Sequence, residues 1–354
     1  MTNPVPIINP EAMTQLQLAL FKETAPLSKL RVNETYELLP KDVAPGNTDI
    51  VWVDLPDGSR LAKPLVVSFR YRSSDSPTLV TMKPASISKE DGTVESRFPG
   101  LMESRVEHIL LWMAARQPLQ AGELSSGKPK LSLLTSIYQI RKELILAVHR
   151  KKGMDSGKIN IESCPYSKQQ IKVALETLTG TQYQITSTEG DSEVTFSRLS
   201  LIARNGDNLY IELGSMHQKM IAEGDWRIMD SIELIASNSV YMVRLVKLLQ
   251  MRFKFAQLKD NCYNIRTSHL KEMLGFPSSM PLKNIRYRIR CLLDESPLVS
   301  RYVEDNKFDK NKIVDSVFYI YPTVKFVQSV MEDNVLNKKS KRNHKATGEH
   351  PLLS

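Results

Sequence analysis

Apolar positions recur along the chain with helical spacing from residue 103 onward. In "ESRVEHILLWMAARQ", Val106, Ile109, Leu110 and Met113 share one face. In "TSIYQIRKELILAVHRKKG", Ile137, Ile140, Leu144 and Val148 align, and Gly153 lies just past the helix end. Between them "LQAGELSSGKPK" reads as a loop. A short strand "INI" at 159–161 precedes a third helix, about 167–179. Ser167 is placed to cap it, Ile171, Ala174, Leu175 and Leu178 form its apolar stripe, and Gly180 is placed to stop it. "TQYQITS", "EVTFSRLSLIA" and "NLYIEL" then read as strands joined at "EGD" and "NGD".

A similar order returns later. Val240, Val243, Leu245, Leu248 and Leu249 mark an amphipathic helix, and "YNI" at 263–265 a short strand. Thr267 can cap "SHLKEMLG", which Gly275 ends. A helix from Pro281 to Asp294 and the hairpin strands "LVSRYVED" and "SVFYIYPTV" complete the set. The pattern predicts an α+β fold with two tandem winged helices, each a helix-turn-helix with an added β-hairpin. The expected divisions are 1–100, an N-terminal extension partly β and partly mobile; 101–230, the first winged helix; 231–330, the second; and 331–354, a disordered basic tail. Within the extension, "LVVSFRY" and "TLVTMK" are the candidate strands.

Charge sharpens this division. Residues 1–100 carry 11 Lys and Arg against 12 Asp and Glu, residues 101–234 carry 16 of each, and residues 235–354 carry 21 against 11. The whole-chain net of +9 therefore resides in the last third, which suggests a polyanionic partner for that part alone. On the 281–294 helix, Ile285, Ile289, Leu292 and Leu293 face a core. Lys283, Arg286 and Arg290 fall at spacings of three and four on another face, with Arg288 flanking them. Such a helix suits the DNA major groove, where Arg286 and Arg290 would read bases. Arg301, Lys307, Lys310 and Lys312 on the hairpin would reach the backbone. The alternative is a solvated face whose arginines pair with Asp294, Glu295 or acids elsewhere. The equivalent first-copy helix exposes Lys168, Gln169 and Lys172. These could make subsidiary DNA contacts, or be plain surface on a domain that self-associates.

Catalytic signatures are absent or incomplete. "GELSSGKP" at 122–129 begins like a phosphate-binding loop, but Pro129 replaces the magnesium-holding hydroxyl. The six histidines form no HxH, HExxH or HxxxH pair, so no metal, cofactor or enzymatic activity is expected. His108 and His269 read as capping or packing groups. In "RTSHLKEMLGF", Glu272 stands where an HxxR box needs arginine. Cys164, Cys262 and Cys291 are far apart and fit reduced thiols in a cytoplasmic protein. The longest apolar run, "LILAV", is far short of a membrane span, and the first residues lack a secretory pattern.

"TSIYQIRKEL", "YSKQQIKVALETLTGTQYQI", "SVYMVRLVKLLQMRF", "YNIRTSHLKEMLGF" and "LKNIRYRIRCLLDES" together resemble the iteron-binding plasmid replication initiators, the Rep proteins with tandem winged helices. The likeness spans about residues 130–325. It departs from the family pattern before Leu248, where the usual acidic residue is missing, and residues 1–100 have no counterpart. The resemblance implies binding to direct repeats of double-stranded origin DNA, principally through the second domain. It also implies dimerisation through the first domain, melting of adjacent DNA, recruitment of a host initiator and replicative helicase, and autorepression. Two other readings stand beside it: a winged-helix transcription regulator on an inverted operator, and a DNA-processing enzyme with an unrecognised site.

Overall fold

The computed structural model describes residues 29–32, 34–69, 78–114, 120–123, 129–153, 164–186, 193–218, 227–256, 261–310 and 312–346. The chain is a mixed α+β fold. Its first described elements are β1 (Lys29–Val32), α1 (Glu34–Leu38), β2 (Trp52–Asp54), β3 (Arg60–Ala62), β4 (Leu65–Phe69), β5 (Thr78–Lys83), β6 (Ala85–Ser88) and β7 (Val94–Arg97). Both candidate strands of the expected extension form and pair with one another, as β4 and β5. They are not confined to the first hundred residues, however. β5 also pairs with β10 (Gln182–Thr186), giving the sheet order β11-β10-β5-β4 with β11 (Glu193–Phe196) at its edge. Val80, Met82 and Tyr183 are fully buried there, so backbone pairing and core both cross the expected boundary at residue 100.

The first helices form where the apolar periodicity places them: α2 (Leu101–Ala114), α3 (Ile137–Lys151) and α4 (Lys168–Gly180). Ser136 caps α3 by accepting from the Gln139 amide, and Gly153 closes its end at φ +65°. Ser167 and Gln170 form a reciprocal capping box on α4, which satisfies two otherwise unpaired amides. Ile171, Ala174, Leu175 and Leu178 are buried, as the spacing requires. Gly180 is the last residue of α4 and has no left-handed φ. It is small because a Cβ there would come within 2.9 Å of the Ala85 Cβ, so its role is close packing of α4 on β6. The expected strand "INI" lies outside the described residues. The loop expected at 119–130 contains strand at both ends. β8 (Gln120–Glu123) pairs with β9 (Pro129–Ser136), in register Gln120 with Ser132.

"EVTFSRLSLIA" is two strands in two sheets. β11 ends at Phe196, and β12 (Leu199–Asn205) joins β13 (Asn208–Leu213) in the sheet order β12-β13-β9-β8. The break has an electrostatic cause. Arg198 turns inward, fully buried, to donate to Asp42 Oδ1 at 2.6 Å and Glu107 Oε2 at 3.3 Å. Gly214 donates its amide to the Arg198 carbonyl, and a Cβ there would lie 2.0 Å from the Ser197 carbonyl oxygen.

Arg198 belongs to a buried ionic cluster that joins distant parts of the chain. Lys41 Nζ lies 3.4 Å from Glu37 and 3.6 Å from Glu107, over the ring of Tyr36, whose hydroxyl donates to Glu107 at 2.5 Å. Glu37 also takes Lys247 Nζ at 2.6 Å, and Arg244 donates to the Asp42 carbonyl. Burial alone would raise the Glu37 and Glu107 carboxyls, but the surrounding cations hold both well below the carboxylate range. Burial pulls Lys41 down to about 8, against the opposing pull of Glu107 and Glu37. His217, from a helical turn at 215–218, stands 3.7 Å from Glu107 and edge-on to Tyr36; burial lowers it to about 4.

Lys247 and Arg244 come from α6 (Val240–Arg252), which follows β14 (Arg227–Asp230, paired with β1) and α5 (Ile232–Ile235). β15 (Tyr263–Arg266), α7 (Thr267–Leu274), α8 (Leu282–Glu295), β16 (Val299–Asp309) and β17 (Lys312–Pro322) complete this unit, with sheet order β15-β17-β16. Gly275 ends α7 at φ +68° against the Arg244 guanidinium. Thr267 is the first helical residue of α7 and caps nothing; its hydroxyl donates to the Ser316 carbonyl. The hairpin is longer than the pattern predicts. The expected disordered tail from residue 331 is also corrected as far as Ala346, where α9 (Val324–Ala346) ends; residues 347–354 lie outside the described residues. Phe326, Val327 and Val330 bury its first turns, and Asn334 donates to the Lys254 carbonyl. The nucleus is therefore secured by packing, and propagation along the polar remainder needs only one hydrogen bond per residue. No helix among the described residues is long and apolar enough to cross a membrane.

The depressed value at His217 makes a pH prediction. Unfolding frees an imidazole that binds a proton below about 6.5, whereas the folded protein resists protonation to about 4. Stability should thus fall between those values as pH drops, by roughly 3 kcal/mol, with the buried carboxylates adding their own loss only from about pH 5 downward. Urea melts of His217→Asn should lack this upper phase; an unchanged slope would remove His217 as its source.

Candidate nucleic-acid interface

The exposed polar and basic side chains of α8 are a different set from the stripe predicted for it. Ile285, Ile289, Leu292 and Leu293 are buried against α6, α7 and β16, as expected. Lys283, Asn284, Tyr287 and Arg288 are exposed, at i, i+1, i+4 and i+5, so they share the outward face. The Arg288 guanidinium lies 6.0 Å from the centre of the Tyr241 ring, near the limit of a cation–π contact.

Arg286 does not belong to that face. It is buried, with Nε 2.5 Å from Glu304 Oε1 and Nη2 donating to Asn306 Oδ1 at 2.6 Å. Arg290 sends Nε to the other oxygen of the same carboxylate, at 2.9 Å, and is half-exposed. The expected stripe of Lys283, Arg286 and Arg290 is therefore corrected: Glu304 on β16 draws two of its three members toward the hairpin. Burial would raise the Glu304 carboxyl, but hydrogen bonds and charge from these arginines hold it down. Ser316 continues the chain by its 3.0 Å contact with Asn306, and Asp315 accepts from Ser268 at the start of α7. This polar seam fixes the hairpin to both helices.

Arg301, Lys307, Lys310 and Lys312 stand exposed along the hairpin, Arg301 lying 4.2 Å over the Tyr321 ring. Among the described residues, neither these four nor Lys283 and Arg288 enter an ion pair. In the first helical group Lys168 and Gln169 are exposed and Lys172 is half-buried. Their helix, α4, packs on α2, α3 and β6, apart from the packing group that holds α8. The loop at 47–49 touches the turn before α8. Asp49 accepts from the Ser278 amide and hydroxyl, the latter at 2.6 Å, and Thr48 and Ser279 share a 2.7 Å hydroxyl contact. Sequence reasoning had no signal for this contact, which links residues more than two hundred positions apart.

The other candidate motifs do not assemble into a site. Gly122, Glu123 and Pro129 of the phosphate-loop-like segment lie in β8 and β9, with a strand where such a loop needs a helix. His108 is buried; its Nδ1 meets the Ser104 carbonyl at 2.5 Å and its Nε2 stands 3.5 Å from Glu37, so it belongs to the buried ionic cluster. Among the described residues no group of three or more His, Cys, Asp or Glu is placed to hold a metal ion.

No protein-family model matches this chain, and no curated protein matches it. Among solved structures it is similar to the Pi initiator protein, in a crystal structure of that protein in complex with iteron DNA. The TM-score is 0.41 at 13% identity, over 63% of this chain and 91% of that one.

The Glu304 clamp predicts a stability effect that a base-reading Arg286 would not have. Arg286→Ala leaves a carboxylate half-paired in a poorly hydrated seam and should cost roughly 2–4 kcal/mol in thermal or urea unfolding. Arg290→Ala, at the wet edge, should cost under about 1 kcal/mol. A stable Arg286→Ala protein that has lost only DNA affinity would return Arg286 to the reading face.

Proposed function

We propose that this chain is a sequence-specific, duplex-DNA-binding replication initiator without catalysis of its own, whose residues 240–322 act as a winged helix. The observation that carries this is the coincidence of two exposed basic surfaces on one small unit, neither of them ion-paired among the described residues. One is the outward face of α8 with Lys283 and Arg288; the other is the hairpin with Arg301, Lys307, Lys310 and Lys312. Helix, strand, helix, helix and hairpin, with sheet order β15-β17-β16, is the arrangement that presents its last helix to a major groove and its hairpin to the flanking backbone.

In this reading Arg288 pairs with a guanine edge and Asn284 with an adenine, while Lys283 and the hairpin cations neutralise phosphates. The excess of basic residues beyond 235 supplies the long-range attraction. Residues 101–230 are proposed as a second, weakly basic winged helix for self-association and subsidiary contact through Lys168, Gln169 and Lys172. Direct-repeat origin DNA, local melting, and a host initiator and helicase as partners follow from the resemblance of residues 130–325 to the plasmid initiators, while a cytoplasmic location is proposed from the three free cysteines.

Arg288→Ala should cost about 1–3 kcal/mol of specific binding and relax selectivity at one base pair. Lys283→Ala and Lys307→Ala should weaken all sequences alike, each lowering the salt slope by about 1. Fluorescence anisotropy on duplexes selected by the full chain measures both. Unchanged affinity in Arg288→Ala would remove α8 from the reading role, and inverted rather than tandem selected sites would favour a transcription regulator.

A further inference from the structure

Phe308 presents an unusual surface at the far end of the hairpin. β15 pairs with β17 only from Val317 to Ile320, so beyond Val317 the hairpin continues as two strands, a projection of roughly 16 Å. Near its tip Phe308 is 64% exposed and Val314 is 54% exposed. A register shift between Lys307 and Phe308 interrupts the strand alternation, a device that re-aims a side chain. Lys310 turns the chain at φ +44°. Lys307, Lys310 and Lys312 are exposed close to it along the chain, and among the described residues none has a carboxylate within ion-pair distance. The nearby acids are Asp305 and Asp309, both exposed, and Asp315, which is engaged by Ser268; in register Asp309 faces Lys312 and Asp315 faces Lys307.

We infer that Phe308 is an unstacking wedge, inserted between adjacent base pairs of duplex DNA while the three lysines hold the phosphates on either side. The inference rests on the DNA-binding reading and adds an activity to it: local distortion of the duplex by the hairpin tip. An aromatic ring left in water at the end of a lever contributes little to the core. Placed in a base step, the same ring recovers stacking, and neighbouring cations can meet the phosphates beside that step. The bland role for Phe308 is to pair across the hairpin with Ile313, its register partner, and the test separates the two.

The full chain selects a duplex from a random-sequence pool, and 2-aminopurine then replaces each adenine of that duplex in turn. Wild-type protein should raise the fluorescence at one step, where stacking is lost. Phe308→Ala should abolish the rise while still holding the duplex, with affinity weakened roughly fivefold or more. Phe308→Trp should restore it. Ile313→Ala, which removes the cross-strand partner and leaves the ring, should keep it. A wild-type complex without any rise, or an equal rise in Phe308→Ala, overturns the wedge and leaves the DNA-binding reading standing. Loss of the rise in Ile313→Ala as well as Phe308→Ala also overturns it, by making Phe308 a hairpin-stabilising residue. Selection that recovers no duplex overturns the DNA-binding reading, and the wedge with it.

Discussion

A guanidinium buried between two carboxylates, Arg198 between Asp42 and Glu107, is the constraint around which the rest is arranged. Taking these charges out of water costs several kcal/mol per ion, and only near-complete pairing offsets it. Asp42 therefore has to come from the segment after α1, Glu107 from the middle of α2, and Arg198 from a break in what would otherwise be one strand. Lys247 on α6 answers Glu37 in the same way. Apolar packing would tolerate several arrangements of these layers, whereas an ionic cluster with so many named partners tolerates few. The result is that the early segment, the first helical layer and the basic unit are closed around one interior.

How much of this the sequence disclosed depended on distance along the chain. The stripe of α8, the cap at Ser167 and the left-handed Gly275 are governed by neighbours within a turn or two, and all were legible. The direction taken by Arg286 was not. It lies next to Ile285 at the border of the apolar face, and its partner Glu304 stands on the following strand with nothing in the local pattern to single it out. The split at Ser197 was hidden for the same reason, since its cause lies at Asp42 and Glu107. Gly180 was seen as important for the wrong physical reason, because Ala85, whose Cβ demands a small residue there, is remote in sequence. In α9 the composition of the polar half pointed to disorder, whereas the few apolar residues at its start decide the outcome.

These differences change what the basic surface consists of. Charge counted along the sequence treats every arginine of α8 as available, but one is consumed in joining the helix to the hairpin and another is shared with it. What remains outward is sparser and more varied, with Asn284 and Tyr287 between the cations. Such a face is less a patch of charge than a set of distinct hydrogen-bonding groups at fixed spacing, on a support made rigid by the residues that were subtracted.

The contact of Asp49 with the turn before α8 has the opposite character to the interior cluster. Its hydrogen bonds are open to water, so each can be traded for a bond to solvent at small cost. The polar attachments of the early segment to the basic unit are thus of two kinds, a bolt sealed from solvent and a latch. The latch sits at the lip of α8, where any competing donor that arrives can lift it.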